Sequence, residues 1–344
     1  MNLEHVEFYN LGALEPIPGL GDNGLVRVPA AIRNQLNNRA RLIGMDSVGV
    51  EIRFVTEAPN IDLYLSAQQP EFGGKGKVRI YKGNYLYRTL ELEPGVTTFH
   101  RLTPPPAFAP ANEKMLNPGG FAHNVWRIVC DRTVYVVHGI HAHGYDIRPP
   151  HPTELPRLNW LAYGSSITNA SLDGYVHIAA AKLRVQVQNK GFSGSCHIEP
   201  ALVDYLLDEC SFDFITCELG INMRGQYSPE EFEQRASYLI GRLTELRKPA
   251  LIIPLFPNNH SAQYAANPAS VLTEREEAYT RILERLVREA NCPTLRFVSG
   301  SDILDDVAGL SADLLHPTTY GHAVMGFNLA AHLKSFLLER GLEL

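Results

Sequence analysis

The stretch Leu161–Ala170, LAYGSSITNA, decides how the chain is read. Apolar residues lead into a glycine, two serines and a short polar run, the pattern of a strand ending in a turn. A serine hydroxyl at such a turn is exposed and ringed by backbone N–H groups. That is a favourable place to attack an acyl carbon and to hold the oxyanion that results. Taken alone, the same two serines read more readily as a helix N-cap, so the surroundings must decide.

Beyond residue 151, strand and helix patterns alternate. NWLAY (159–163), VQVQN (185–189), DFITCEL (213–219), ALIIPLF (250–256) and TLRFVS (294–299) are short and apolar. Helical patterns lie between or after them, which predicts a parallel sheet covered on both faces. Thr273 and Glu276 have capping-box spacing ahead of Tyr279, Ile282, Leu283, Leu286, Val287 and Ala290 on one helix face. Ligands of such sheets bind at the carboxyl ends of the strands, so a site belongs on the loops after Tyr163, Asn189, Leu219 and Leu255.

Chemistry-bearing residues occupy those loops. The first holds Gly164-Ser165-Ser166-Ile167-Thr168, and the second, NKGFSGSC, holds Gly191 and Gly194. The third, ELGINMRG, puts the Asn222 side-chain amide just beyond a strand. Near the C-terminus, SADLLHPTTYGH sets Asp313 three residues before His316, so the carboxylate can orient the imidazole. Singly, each has an ordinary reading as a cap, a turn glycine or a buried histidine. At the loops of one sheet they supply a nucleophile, oxyanion donors, a base and its orienting acid.

Read in order, Gly-x-Ser-Ile-Thr, Ser-Gly, Gly-x-Asn and Asp-x-x-His-Pro resemble the blocks of the SGNH (GDSL) hydrolases, over roughly Trp160 to Leu338. The resemblance implies a three-layer α/β/α domain and a serine esterase needing neither metal nor organic cofactor. Ser166 would be the nucleophile, His316 the general base and Asp313 its partner. The Ser166 and Gly194 N–H groups and the Asn222 side chain would form the oxyanion hole. Two positions depart from the family pattern. Ser165 stands where an aspartate usually precedes the nucleophile, and Met223 where one usually follows the block-three asparagine. These departures bear on the hydrogen bonding that fixes the first loop and on the polarity of the pocket wall. Glu218 and Arg224 flank the asparagine as candidate substrate-binding residues, and Glu218, at a buried strand end, needs a partner if charged.

The front half has a different grammar. VGVEIRFVT, IDLYLS, KVRIY, VTTFHRL, VWRIVC and RTVYVVHGI are short alternating runs between Val26 and Ile147, which predicts an all-β sandwich of jelly-roll type. RPPHPTELP (148–156) reads as a linker, dividing a β-sandwich accessory domain (1–150) from a catalytic domain (151–344). The sandwich resembles, more loosely, the front domain of two-domain members acting on carbohydrate esters. His141 and His143 in HGIHAHG are expected to be ordinary strand histidines rather than metal ligands. His322 competes with His316 as base, and the Asp-x-x-His spacing favours His316.

Across 344 residues the formal charge is -6 with no long run of either sign, which argues against nucleic acid as partner. MNLEHVEFYN does not read as a signal peptide, and no apolar run reaches membrane-spanning length. Cys130, Cys196, Cys210, Cys217 and Cys292 lack paired spacing, so a reduced, cytoplasmic setting is expected. The expected partner is a small-molecule or carbohydrate ester, with a homo-oligomer left open. The function expected is removal of a small acyl group, acetyl above all, from a sugar or other alcohol. The alternatives are an acyltransferase with the same triad, or a carbohydrate-binding protein whose hydrolase half is inactive.

Overall fold

The computed structural model describes residues 3–71 and 73–344. The chain forms two compact units, Met1–Pro29 with Gly44–Arg157, and Ala30–Ile43 with Leu158–Leu344. The first unit therefore runs on through the proline-rich segment expected as a linker. There Arg148 pairs with Glu154 at 2.8 Å and its amide donates to the Val55 carbonyl. The excursion 30–43, assigned from sequence to the β domain, belongs with the second unit.

Ten strands build the first unit: β1 (Glu7–Tyr9), β2 (Ala13–Ile17), β3 (Gly21–Val26), β4 (Glu51–Val55), β5 (Ile61–Ala67), β6 (Gly76–Lys82), β7 (Tyr85–Leu92), β8 (Thr98–Leu102), β9 (Val125–Cys130) and β10 (Tyr135–His141). They pair as two antiparallel sheets, β1-β4-β9-β6-β7 and β2-β3-β10-β5-β8. Strands β3 to β10 alone give the orders 3-10-5-8 and 4-9-6-7, the double Greek key of a jelly roll, and β1 and β2 extend one edge of each sheet. Alternate residues of both sheets, among them Ile52, Phe54, Leu63, Leu65, Val78, Ile80, Trp126, Ile128 and Val137, share one dry core.

The second unit has a five-stranded parallel sheet of β11 (Asn159–Gly164), β12 (Gln186–Gly191), β13 (Phe214–Glu218), β14 (Ala250–Ile253) and β15 (Leu295–Phe297) in the order β12-β11-β13-β14-β15. Helices α1 (Ala30–Arg33) and α2 (Asn38–Ile43) lie in the excursion, and α3 (Glu113–Leu116) lies in the first unit. The rest are α4 (Tyr175–Leu183), α5 (Pro200–Asp204), α6 (Pro229–Leu246), α7 (Val271–Ala290), α8 (Gly300–Ile303) and α9 (Thr319–Glu339). On one sheet face α4 and α9 pack Val176, Ala179, Met325, Leu329 and Leu333 onto Trp160, Ala162, Leu251 and Ile253. Residues pointing the opposite way, Leu161, Tyr163, Ile215, Cys217 and Ile252, are buried too. With both faces covered, these strands are continuous apolar runs.

One helix start differs from expectation. Thr273 and Glu276 lie inside α7 and are buried, and Ser270 is the cap, accepting from the Thr273 amide at 3.3 Å.

The chain leaves β11 toward β12 on one side and returns to β13 on the other, which opens a crevice at the carboxyl ends of these three strands. Gly191 lets the first two loops meet there, because a Cβ on it would stand 2.2 Å from the Asn169 backbone nitrogen. Gly191→Ala should therefore destabilise the chain by about 2 kcal/mol, the usual scale of overpacking against unyielding neighbours. Urea unfolding checks this, and a stability equal to wild type would contradict the close approach.

Candidate active site

The first loop is a tight turn fixed at both ends. The Ser165 amide donates to Glu218 Oε2 at 2.6 Å, its carbonyl accepts from the Asn169 amide at 2.9 Å, and its hydroxyl accepts from the Ile167 amide at 3.2 Å. Ser165, Ile167, Thr168 and Asn169 are buried, and Ser166 alone among them reaches the surface. Helix α4 does not begin until Tyr175 and has Gly174 as its cap, so neither serine is an N-cap.

Ser166 Oγ lies 2.9 Å from His316 Nε2, and His316 Nδ1 lies 2.7 Å from Asp313 Oδ2. A proton on Nδ1 shared with the carboxylate leaves the Nε2 lone pair facing the serine hydroxyl, the tautomer a general base requires. Asp313 Oδ1 accepts from Ser311 Oγ at 2.7 Å, the His316 amide at 2.9 Å and the Leu315 amide at 3.0 Å. Burial works to raise the Asp313 pKa, but the bonds from the His316 side chain and amide, Ser311 and Leu315 outweigh it. They hold the carboxyl well below the usual range. The turn that gathers these donors puts Leu314 at φ +55°, a left-handed conformation uncommon outside glycine.

The other two loops flank the serine. Gly194 is exposed at φ +67°, where a side chain would be strained. Asn222 Oδ1 accepts from the Cys196 amide at 3.1 Å, which anchors the third loop to the second and turns the Asn222 NH2 away from that bond. The Phe192 amide donates to the Gly164 carbonyl at 2.7 Å, tying the second loop to the first.

Glu218 and Arg224, the two candidate substrate contacts, are engaged within the protein. Glu218 is only 1% exposed and lies beneath the turn, where Thr168 Oγ1 also donates to Oε2 at 3.1 Å. Its carboxylate has turned back because the end of β13 is dry and the Ser165 amide needs an acceptor. Arg224 is engaged by Glu276 and by Asn258 Oδ1 at 3.0 Å. His322 is engaged elsewhere, for its Nδ1 accepts from the Tyr175 amide at 3.3 Å and its ring stacks on Tyr175. Burial first, and the neighbouring His316 second, push its pKa down to about 4. The Cys196 thiol is buried and pushed far up by desolvation. His141 ends β10, whereas His143 lies past the strand at φ +52° and pairs with Asp62 at 2.9 Å, so the two do not share a strand face. Among the described residues no group of three or more His, Cys, Asp or Glu is placed to hold a metal, and no helix is long and apolar enough to cross a membrane.

Sequence reasoning missed the excursion. Arg39 Nε donates to the Ser193 carbonyl at 3.2 Å, and the Asn37 amide and side chain donate to Glu199 at 2.8 and 2.9 Å. These bonds brace the segment on either side of Gly194 from α2 and the residue before it. The available signal was helical spacing of Ile32, Leu36, Ala40 and Ile43 inside a strand-rich half.

Residues 162–324 match the model of the GDSL-like Lipase/Acylhydrolase family. Among curated proteins, none matches the sequence. Solved structures similar in fold across both units include the following two. One is the salicylyl-acyltransferase SsfX3 from a tetracycline biosynthetic pathway, 13% identical, with TM-score 0.77 over 96% of this chain and 94% of that one. The other is a family two carbohydrate esterase from Clostridium thermocellum in complex with cellohexaose, 14% identical, with TM-score 0.57 over 85% of this chain and 93% of that one.

The buried carboxyl of Glu218 links folding to pH. Desolvation raises its pKa to about 7, against the lowering effect of its bonds from Ser165 and Thr168. An acid whose pKa is higher folded than unfolded binds its proton more tightly in the native state. Its contribution is complete below the unfolded value of 4.5 and fades as pH rises through about 7. The loss across that window is about 3 kcal/mol at 1.4 kcal/mol per unit. Tyr175 and Cys196 are the other titratable side chains facing it, and both stay neutral there because burial raises them. Between pH 4.5 and 7, wild type should therefore lose stability relative to Glu218→Gln. Chemical denaturation of both proteins across this range checks it, and parallel curves would be the contrary result.

Proposed function

We propose that the chain is a serine ester hydrolase that removes a small acyl group, in the first place acetyl, from a carbohydrate or other small alcohol ester. The observation that carries this reading is the unbroken chain Ser166 Oγ to His316 Nε2 at 2.9 Å and His316 Nδ1 to Asp313 Oδ2 at 2.7 Å. In this scheme His316 takes the hydroxyl proton as Ser166 Oγ bonds to the ester carbonyl carbon. Asp313 holds the imidazole in place and stabilises the imidazolium. The Ser166 and Gly194 amides and the Asn222 NH2 receive the oxyanion. The intermediate collapses, the C–O bond to the alcohol breaks, and the alcohol leaves with the proton from His316. Water, deprotonated by His316, then releases the acyl group from Ser166 by the same route. The scheme uses no metal or organic cofactor.

Both the family model that residues 162–324 match and the fold shared with a carbohydrate esterase support hydrolysis of a sugar ester. A second reading keeps the acyl-enzyme and replaces water with an acceptor alcohol, and the fold shared with an acyltransferase over 96% of the chain favours it. The intact hydrogen-bonded triad speaks against a binding protein with an inactive hydrolase half.

Wild type is expected to cleave short-chain p-nitrophenyl esters and acetylated sugars. Ser166→Ala should lower the rate at least about 10³-fold, and Asp313→Asn by about 10⁴-fold through the wrong imidazole tautomer. Asn222→Ala should cost about 10²- to 10³-fold in kcat with little change in KM, because an oxyanion donor acts mainly in the transition state. Product partition with added acceptor alcohol separates hydrolysis from transfer. A Ser166→Ala protein of full activity would remove the serine from the mechanism.

A further inference from the structure

We infer that Glu218, on the strand end neighbouring the serine turn, is a positioning residue for the Ser166 nucleophile, an inference that rests on the esterase reading above. Its Oε2 takes the Ser165 amide at 2.6 Å and Thr168 Oγ1 at 3.1 Å, and these two donors bracket Ser166 on either side. The Ser165 carbonyl is held by Asn169, so the peptides before and after Ser165 are both fixed. That sets the direction of the Ser166 amide, a candidate oxyanion donor, as well as the position of its hydroxyl. Thr168 Oγ1 is held in turn by Tyr175 OH on α4 at 2.8 Å, so the clamp is anchored in a helix as well as in the sheet.

The surroundings are shaped to this carboxylate. Gly164 makes room for it, since a Cβ there would come within 2.7 Å of Oε2. Oε1 is buried and has no hydrogen-bond partner among the described residues. A carboxylate half used in a dry site costs stability, and for packing alone a leucine would serve better. What Glu218 alone supplies is an acceptor for two donors of the nucleophile turn. It touches neither Ser166 Oγ nor His316, and so acts through placement.

The test compares Glu218→Leu, Glu218→Gln and wild type on p-nitrophenyl acetate, with folding followed by circular dichroism. Glu218→Leu fills the space without an acceptor. It should lower kcat by about 10²-fold, the cost of an ångström-scale misplacement, with KM within about threefold. Glu218→Gln keeps an acceptor oxygen and should restore most of the lost rate. If Glu218→Leu does not fold, Thr168→Val removes one of the two donors at constant shape and should lower kcat about tenfold, with Thr168→Ser restoring it. A folded Glu218→Leu with the wild-type kcat overturns the inference, as does a loss expressed only in KM. Where Glu218→Leu fails to fold, a wild-type kcat for Thr168→Val does the same. Labelling of Ser166 by a fluorophosphonate in wild type keeps the two readings apart. Failure of wild type both to label and to turn over an ester removes the esterase reading and Glu218 with it. An active wild type beside an unaffected Glu218→Leu removes Glu218 alone.

Discussion

Everything at the site depends on the register of three parallel strands. β11 lies between β12 and β13, with Gly164 level with Gly191 and Tyr163 level with Cys217, so three loops leave the sheet at one height. The chain runs from β11 to one neighbour and then crosses to the other, so those loops diverge around a crevice instead of following one another along an edge. Register of this kind holds because both faces of the strands are packed. A one-residue slip would turn every apolar side chain of one face to the other. Bonds between the loops convert strand register into loop register, from Phe192 to Gly164 and from Cys196 to Asn222. Ser166, the Gly194 amide and the Asn222 side chain are thus placed by the packing of a sheet core, with little left to the loops' own preferences.

The histidine and aspartate work under a different constraint. Their side chains are 45% and 50% exposed, so water and salt screen the attraction between them. Charge alone would hold such a pair loosely. Geometry holds it instead, because Asp313 accepts from Ser311, Leu315 and His316 through one oxygen and reserves the other for the imidazole. The left-handed Leu314 belongs to this arrangement, since the chain must double back within one residue for those amides to converge on Oδ1. Strain in the backbone is accepted where it fixes an exposed dyad that burial does not fix.

How much of this was legible in the sequence follows from the same physics. The five parallel strands were legible because burial on both faces makes them apolar runs, the Asp313–His316 pairing because its spacing is local, and the turn at Ser166 because it follows such a run. Strand β7 was not. Its pairing with β6 shifts between Ile80 and Tyr81, so the inward positions change parity between Tyr87 and Leu90 and the period-two signal breaks. β2 and β3 carry Pro16, Gly21, Asp22, Asn23 and Gly24, residues that strands disfavour and that only their place in the sheet explains. Glu218 and Arg224 looked like substrate contacts because sequence shows that a charge stands beside the asparagine without showing which way it turns. One turned under the loop and the other toward α7, each drawn by an unmet partner. The excursion 30–43 was hidden by its setting, since two short helices inside a strand-rich half resemble a loop until Asn37 and Arg39 are seen on the second loop.

The two departures from the pattern that the chain resembles share a physical setting. Ser165 and Met223 are both fully buried, so neither position lines a pocket wall in this chain. An aspartate at 165 would put a second carboxylate into the dry space that Glu218 already occupies, 2.6 Å from the Ser165 amide, and two like charges there could not both stay ionised. Serine avoids that conflict, and its hydroxyl still accepts from the Ile167 amide, so the turn keeps a local bond without a second charge. Met223 follows the same logic on the next loop. Its carbonyl lies 3.3 Å from Tyr279 OH and its side chain fills an apolar interior, where an aspartate would need a partner. The carboxyl group beside the serine turn therefore stands at the end of β13 and not in the turn itself.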